Sequence, residues 1–168
     1  MPSALHVELV TASQHESLVE LLLELHAYYD AGPPMPREAV RSYLDDCLLA
    51  PDSPLRLGVA ADHDGRVVGL AAIMLTWSLV EHAPHRRRQC WLKELYVLSS
   101  CRSQGVGRAL MTWVARHAVD NGCARIDWPV NASNARGIAF YESLGARPVD
   151  ERRSYRLAGP AMRALAGS

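Results

Sequence analysis

Between Lys93 and Gly107 the chain reads Lys-Glu-Leu-Tyr-Val-Leu-Ser-Ser-Cys-Arg-Ser-Gln-Gly-Val-Gly, and no other stretch restricts the fold as tightly. Leu95 and Val97 are strand formers and Ser99 and Ser100 end a strand. Val106, Ala109, Leu110, Trp113 and Val114 then recur at helical spacing. A strand must therefore pass through a short glycine-containing loop straight into an amphipathic helix. Gly105 and Gly107 fall in the first turn of that helix, where backbone N–H groups lack intrahelical partners and the dipole is positive. Such a place binds an anion, and phosphate or pyrophosphate is the simplest candidate. Arg102 and Arg108 add formal charge beside it.

Two common phosphate motifs fail here. A dinucleotide fingerprint needs a third glycine where Leu110 stands, and no Gly-Lys-Ser/Thr follows as a nucleotide P-loop requires. The pattern that fits is Arg102-x-x-Gly105-x-Gly107, which resembles the acetyl-coenzyme A loop of the GNAT-type N-acetyltransferases. Downstream, Asn131-x-x-Asn134-x-x-Gly137-x-x-Phe140-Tyr141-x-x-x-Gly145-Ala146 resembles the other signature of that family, at the family's spacing. The segments Trp91–Val97 and Tyr155–Leu157 resemble its diamine (spermidine/spermine-like) acetyltransferase branch in particular.

The resemblance implies a GNAT-like α+β fold. Its sheet is mixed and mostly antiparallel, with helices on both faces and a splayed central strand pair that admits the pantetheine arm of acetyl-coenzyme A. It further implies that the cofactor touches Leu95, Tyr96 and Val97, then Arg102, Ser103, Gln104, Gly105, Val106, Gly107 and Arg108, and downstream Asn134, Arg136, Gly137 and Tyr141. Tyr141 matches the tyrosine usually proposed to protonate the departing thiolate, and Glu94 is the nearest candidate base. Each has a plainer reading, Tyr141 as a half-buried aromatic and Glu94 as a structural hydrogen-bonding carboxylate. Asn134 is a helix cap, a coenzyme A contact, or both.

The rest of the chain supplies elements consistent with this order. Leu5, Val7 and Leu9 alternate with polar residues as in a half-buried strand. Leu18, Leu21, Leu22, Leu25 and Tyr29 give a helix that stops before Gly32-Pro33-Pro34, with Glu16, Glu20 and Glu24 on a solvated face. Pro36 starts a second helix with the stripe Val40, Tyr43, Leu44, Cys47 and Leu48. In the resembled family these two helices border the acceptor, which makes Tyr28, Tyr29 and Asp30 candidates for substrate contact. They also read as ordinary helix-end residues. Leu55–Ala61 and Val67–Leu75 flank Asp62-His63-Asp64-Gly65, which is hairpin chemistry. Trp77–Arg88 is aperiodic, and its arginine triplet is most simply a solvated loop. Ala124–Val130 reads as a strand interrupted by Pro129, Ser133 or Asn134 caps a helix through Leu144, and residues 147–149 with 154–157 suit a last hairpin.

The expected function is transfer of an acetyl group from acetyl-coenzyme A to a primary amine of a small molecule. The alternative is a coenzyme A-binding sensor with the same fold. The diamine branch carries acidic residues at the place of Lys93 and near Arg153, and both are basic here, which disfavours a polycation and favours an acceptor with one positive charge or a carboxylate. If a polyamine binds nonetheless, Asp30 or Asp127 would hold it. At 168 residues one domain, residues 1–168, is expected. With 18 basic and 18 acidic residues the chain offers no global case for nucleic acid or an anionic membrane. Its four cysteines include no C-x-x-C pair, so a metal is not expected. A cytoplasmic location follows from the lack of a signal-peptide pattern at Met1–Ala4, and a homodimer is what the branch implies.

Overall fold

The computed structural model describes residues 5–167 and divides them into two compact units, one ending at Pro129 and the other starting at Val130. The first unit runs β1 (His6–Leu9), α1 (His15–Tyr28), α2 (Arg37–Tyr43), β2 (Leu55–Ala61), β3 (Val67–Trp77), β4 (Arg88–Val97), α3 (Val106–Asp120) and β5 (Cys123–Asp127). The strands lie in the order β1-β2-β3-β4-β5. The first four are antiparallel and β5 runs parallel to β4, as a crossover through α3 requires. The fold is thus α+β with a mixed, open sheet.

Successive strand residues point to opposite faces, so an alternating pattern marks a sheet covered on one side and a continuous apolar run marks one covered on both. Leu57–Ala61 and Val67–Ile73 are buried at every position, which places β2 and β3 in the second case. Asp62 closes this hairpin, its Oδ1 accepting the N–H groups of Asp64 (3.0 Å) and Arg66 (2.9 Å). Helix α3 settles on the sheet at two glycines. A Cβ on Gly58 would stand 2.4 Å from the Trp113 ring, and one on Gly69 would stand 2.9 Å from Val106 and Leu110. Those side chains take the space a larger strand residue would fill. Val106, Leu110, Met111, Val114 and Ala118 form the buried face, each large side chain contributing about 1.5–3 kcal/mol on burial.

Three expectations change on this unit. The helix begun at Pro36 does not run on as one stripe: from Leu44 to Leu48 it makes a single π-helical turn, which buries Leu44 and leaves Cys47 exposed. Arg88 is no loop residue. It opens β4 opposite Trp77, its guanidinium lies 5.0 Å from that ring, and its Nη1 donates to the Asn121 carbonyl at the end of α3 (3.1 Å). Glu24 also leaves the solvated face, since its Oε1 accepts from Tyr96 Oη (2.9 Å) and Ser99 N–H (2.8 Å).

The second unit holds α4 (Ala135–Ser143) and α5 (Gly159–Ala166). Asn134 is the cap of α4, its Oδ1 accepting the Gly137 N–H at 2.9 Å. The hairpin expected at residues 147–157 is not formed. Pro148 removes a donor, Arg152 N–H turns back to the Val149 carbonyl (3.1 Å), and Val149, Tyr155 and Leu157 are exposed. Among the described residues no helix is long and apolar enough to cross a membrane.

Candidate functional site

The site begins with one extra residue in β4. Ala72 faces Glu94 but Ile73 faces Leu92, so Lys93 is a bulge that reverses the phase of the strand beyond it. Leu98 N–H donates to Val68 O on the β3 side (3.0 Å), and by alternation Leu95 and Val97 turn their backbone N–H and C=O groups away from β3. On that other side β5 is gone: its pairing with β4 ends at Trp91–Asp127, two residues before Pro129. The central parallel pair therefore parts, and the groups that a neighbouring strand would take are left to side chains. Leu95 N–H donates to Glu94 Oε1 (3.1 Å), and Val97 O accepts from Arg102 Nε (3.1 Å).

The loop after β4 turns sharply, with Ser103 at φ 61° and Gly105 at φ 84°. The left-handed region suits glycine at Gly105, which caps α3, and a Cβ there would meet nothing within 4 Å. The first intrahelical bond comes from Ala109 N–H to Gly105 O (3.0 Å), so the N–H groups of Val106, Gly107 and Arg108 precede the helical ladder. Gln104 Nε2 donates to Ser100 O (3.1 Å), which ties the loop to itself. Gly105 and Arg108 border an open groove of about 550 Å³ that continues along α3 past Thr112 and Trp113 to Arg116. Arg102 points elsewhere, its guanidinium 5.4 Å from the Tyr28 ring and 5.3 Å from the Tyr96 ring. Glu24 braces this end of the site: burial opposes its ionisation, but the bonds from Ser99 and Tyr96 prevail and hold its carboxyl below the usual range. Burial, and then the same contact, push the Tyr96 phenol up to about 12. Glu24 lay in a charged helical stripe, and nothing in that spacing distinguishes it from Glu16 or Glu20.

On the same face of β4, nearer its start, lies an open cavity of about 360 Å³ between α1, α2 and Glu94. Leu22, Leu25 and Tyr29 line it at spacings of three and four along α1, with Val40 and Tyr43 from α2. Tyr29 Oη donates to Glu94 Oε1 (3.3 Å), the same oxygen that Leu95 N–H reaches. Burial raises the Glu94 carboxyl above its ordinary value against the opposing pull of Leu95 N–H, Tyr29 and Lys93. Burial and the facing carboxylate raise the Tyr29 phenol as well. Of the substrate candidates, Tyr29 lines this cavity, whereas Tyr28 packs edge-on against Tyr96 (5.6 Å between centroids) on the Arg102 side. Asp30 and Lys93 are exposed outside it, and Asp127 Oδ2 accepts from Arg125 Nε at 2.7 Å.

In the second unit Tyr141 follows Phe140 on α4, their ring centroids 5.3 Å apart. Gly137 has a steric reason of its own, since a Cβ there would stand 2.5 Å from Asn134 Nδ2. Arg136 lies in the first turn of the same helix.

A parted parallel strand pair beside an open helix N-terminus, with a half-buried carboxylate joining the gap to a cavity, has the outline of an acyl-transfer site. The chain belongs to the acetyltransferase (GNAT) family, whose model matches residues 17–146. It is 37% identical over 83 residues to thialysine N-ε-acetyltransferase of Sus scrofa, a match covering 48% of this chain and 49% of that one. It is 36% identical over 75 residues to L-ornithine N5-acetyltransferase of Arabidopsis thaliana, covering 45% and 33% of the two chains. The chain thus spans about half the length, or less, of these curated relatives. Among solved structures, an integron cassette protein from the mobile metagenome of V. cholerae superposes with a TM-score of 0.86 at 28% identity, over 98% of both chains. An aminoglycoside acetyltransferase, AAC(6')-Iy, in complex with a coenzyme A bisubstrate analogue has a TM-score of 0.70 at 21% identity, covering 94% of this chain and all of that one.

Proposed function

We propose that this chain is an acetyl-coenzyme A-dependent N-acetyltransferase for a primary amine of a small molecule. The observation that supports it most is the phase change at Lys93, which leaves backbone groups of Leu95 and Val97 facing the gap beside the start of α3 while Glu94 reaches the cavity beside α1 and α2. When bound, acetyl-coenzyme A supplies an activated thioester and a thiolate leaving group. The residues fit that cofactor: the N–H groups at Val106, Gly107 and Arg108 would receive its pyrophosphate, and the open space over Gly105 lets the backbone be approached closely. Backbone groups of Val97 would bond the pantetheine arm as a substitute strand, its carbonyl in exchange for the Arg102 side chain.

Glu94 is the base in this proposal. Its carboxyl, raised by burial, sits nearer to neutral pH than a surface glutamate and so accepts a proton from an ammonium more readily. Leu95 N–H, released by Glu94 Oε1, donates to the negative charge that develops on the thioester oxygen. Tyr141 is assigned proton delivery to the departing sulfur on its motif alone. The test is thiol release from acetyl-coenzyme A across a panel of primary amines. Amine-dependent release supports the proposal, and saturable binding with no release for any amine makes the chain a sensor instead.

A further inference from the structure

Resting on that reading, we infer that the acceptor is a primary monoamine with an apolar body, about the size of one aromatic ring on a short linker. The cavity beside Glu94 has walls mainly of leucine, valine, methionine and tyrosine, Met35, Ala39 and Leu48 joining those already named. Its volume of about 360 Å³ falls at the small end of ligand pockets, roughly 300–1,000 Å³, which suits a small molecule.

Of the few polar groups at its wall, the Tyr43 hydroxyl belongs to an exposed residue and the His26 and Tyr29 side chains are committed. His26 Nε2 lies 3.3 Å from Gly32 O and 3.2 Å from Pro33 O, so that ring serves the loop between α1 and α2. Tyr29 Oη is turned to Glu94 Oε1, and that oxygen also holds Leu95 N–H. Among the described residues Glu94 Oε2 has no hydrogen bond, and no lysine, arginine or second carboxylate lines the cavity. One anionic oxygen in an open, apolar-walled hollow is complementary to one ammonium on an apolar body. A diamine, or an amino acid such as ornithine, would bring a second charge to walls that hold no second ionic partner for it, only the exposed Tyr43 hydroxyl, and apolar walls do not repay a charge for the water it loses against them. Lys93 and Asp30, which could have met such a charge, stand exposed outside.

The test compares kcat/KM for phenethylamine and isoamylamine with that for 1,3-diaminopropane, ornithine and thialysine, using the intact protein. The inference expects the apolar monoamines to lead by at least about tenfold. A lead for any of the three doubly functional amines overturns it while leaving the acetyltransferase proposal standing. Acetyl-coenzyme A binding without thiol release for any amine overturns both. A second variant places the preference in this cavity. Met35 is partly exposed on the segment before α2, so Met35→Glu adds a carboxylate to the wall with little demand on the core. The ratio of kcat/KM for 1,3-diaminopropane to that for phenethylamine, which is independent of the folded fraction, is expected to rise about tenfold. A ratio at or below the parent's removes the acceptor from this cavity.

Discussion

The two ends of the contact between α1 and β4 are built in opposite ways. On the side of the glycine loop, polar groups answer one another: Glu24 holds Tyr96 and Ser99, and Arg102 holds Val97 between two tyrosine rings. On the side where α1 meets α2 the walls are apolar and a single carboxylate, Glu94, carries the charge. A set of mutually bonded polar groups fixes backbone geometry, which a ligand common to a whole family needs. An apolar chamber with one charge fixes the ligand's size and polarity, which is where members of a family differ. The lesson is that the cofactor side of such a site is written locally, and the acceptor side is written by packing.

Glu94→Gln should break the comparison most severely, because Glu94 serves both sides. The turnover number on the best amine is expected to fall at least about a hundredfold, with acetyl-coenzyme A affinity held within about threefold by calorimetry. The pH profile sharpens this. A carboxyl raised by burial must lose its proton to act, so the acidic limb of kcat/KM should lie above the ordinary glutamate value of about 4.3 and should vanish in the variant. Tyr141→Phe, in the second unit, should lower turnover about a hundredfold while moving neither acetyl-coenzyme A affinity nor acceptor KM. A parent-like rate, with chemistry shown to be limiting, would end the acid assignment.

Smaller effects separate the two sides. Gly105→Val puts a β-branched residue at φ 84°, and acetyl-coenzyme A should bind more than about tenfold more weakly, near 1.4 kcal/mol, with acceptor preference unchanged. A changed amine ranking in that variant would mean the sides are coupled. Glu24→Gln should cost roughly 1 kcal/mol of stability at pH 7, read by urea unfolding. Because the folded carboxyl lies below its unfolded value, its contribution is present above the unfolded pKa, near 4.3, and is lost as pH falls through the folded one. Parent and variant should therefore converge in acid.

The legible parts of the molecule are the local ones. Asp62-His63-Asp64-Gly65 names a hairpin because turn geometry is set within four residues, and Gly105 announces a helix start because its φ must be positive. Asn134 resolves as a cap for the same reason. Arg88 was less legible, since an arginine triplet looks solvated until Trp77 and Asn121 are brought to it from either side. The hairpin expected at residues 147–157 does not form, because two short segments name each other but no sheet to join.

By itself, then, the sequence determined the strand, loop and helix of the anion site, the turn chemistry, and the family signature. These depend on backbone preferences and spacings that a few neighbouring residues decide. Tertiary structure alone decided that Lys93 is a bulge, that Glu24 braces Tyr96 and Ser99, and that Leu22, Val40 and Glu94 enclose one cavity. Each joins segments distant along the chain, and the register and packing that join them are set by the whole core.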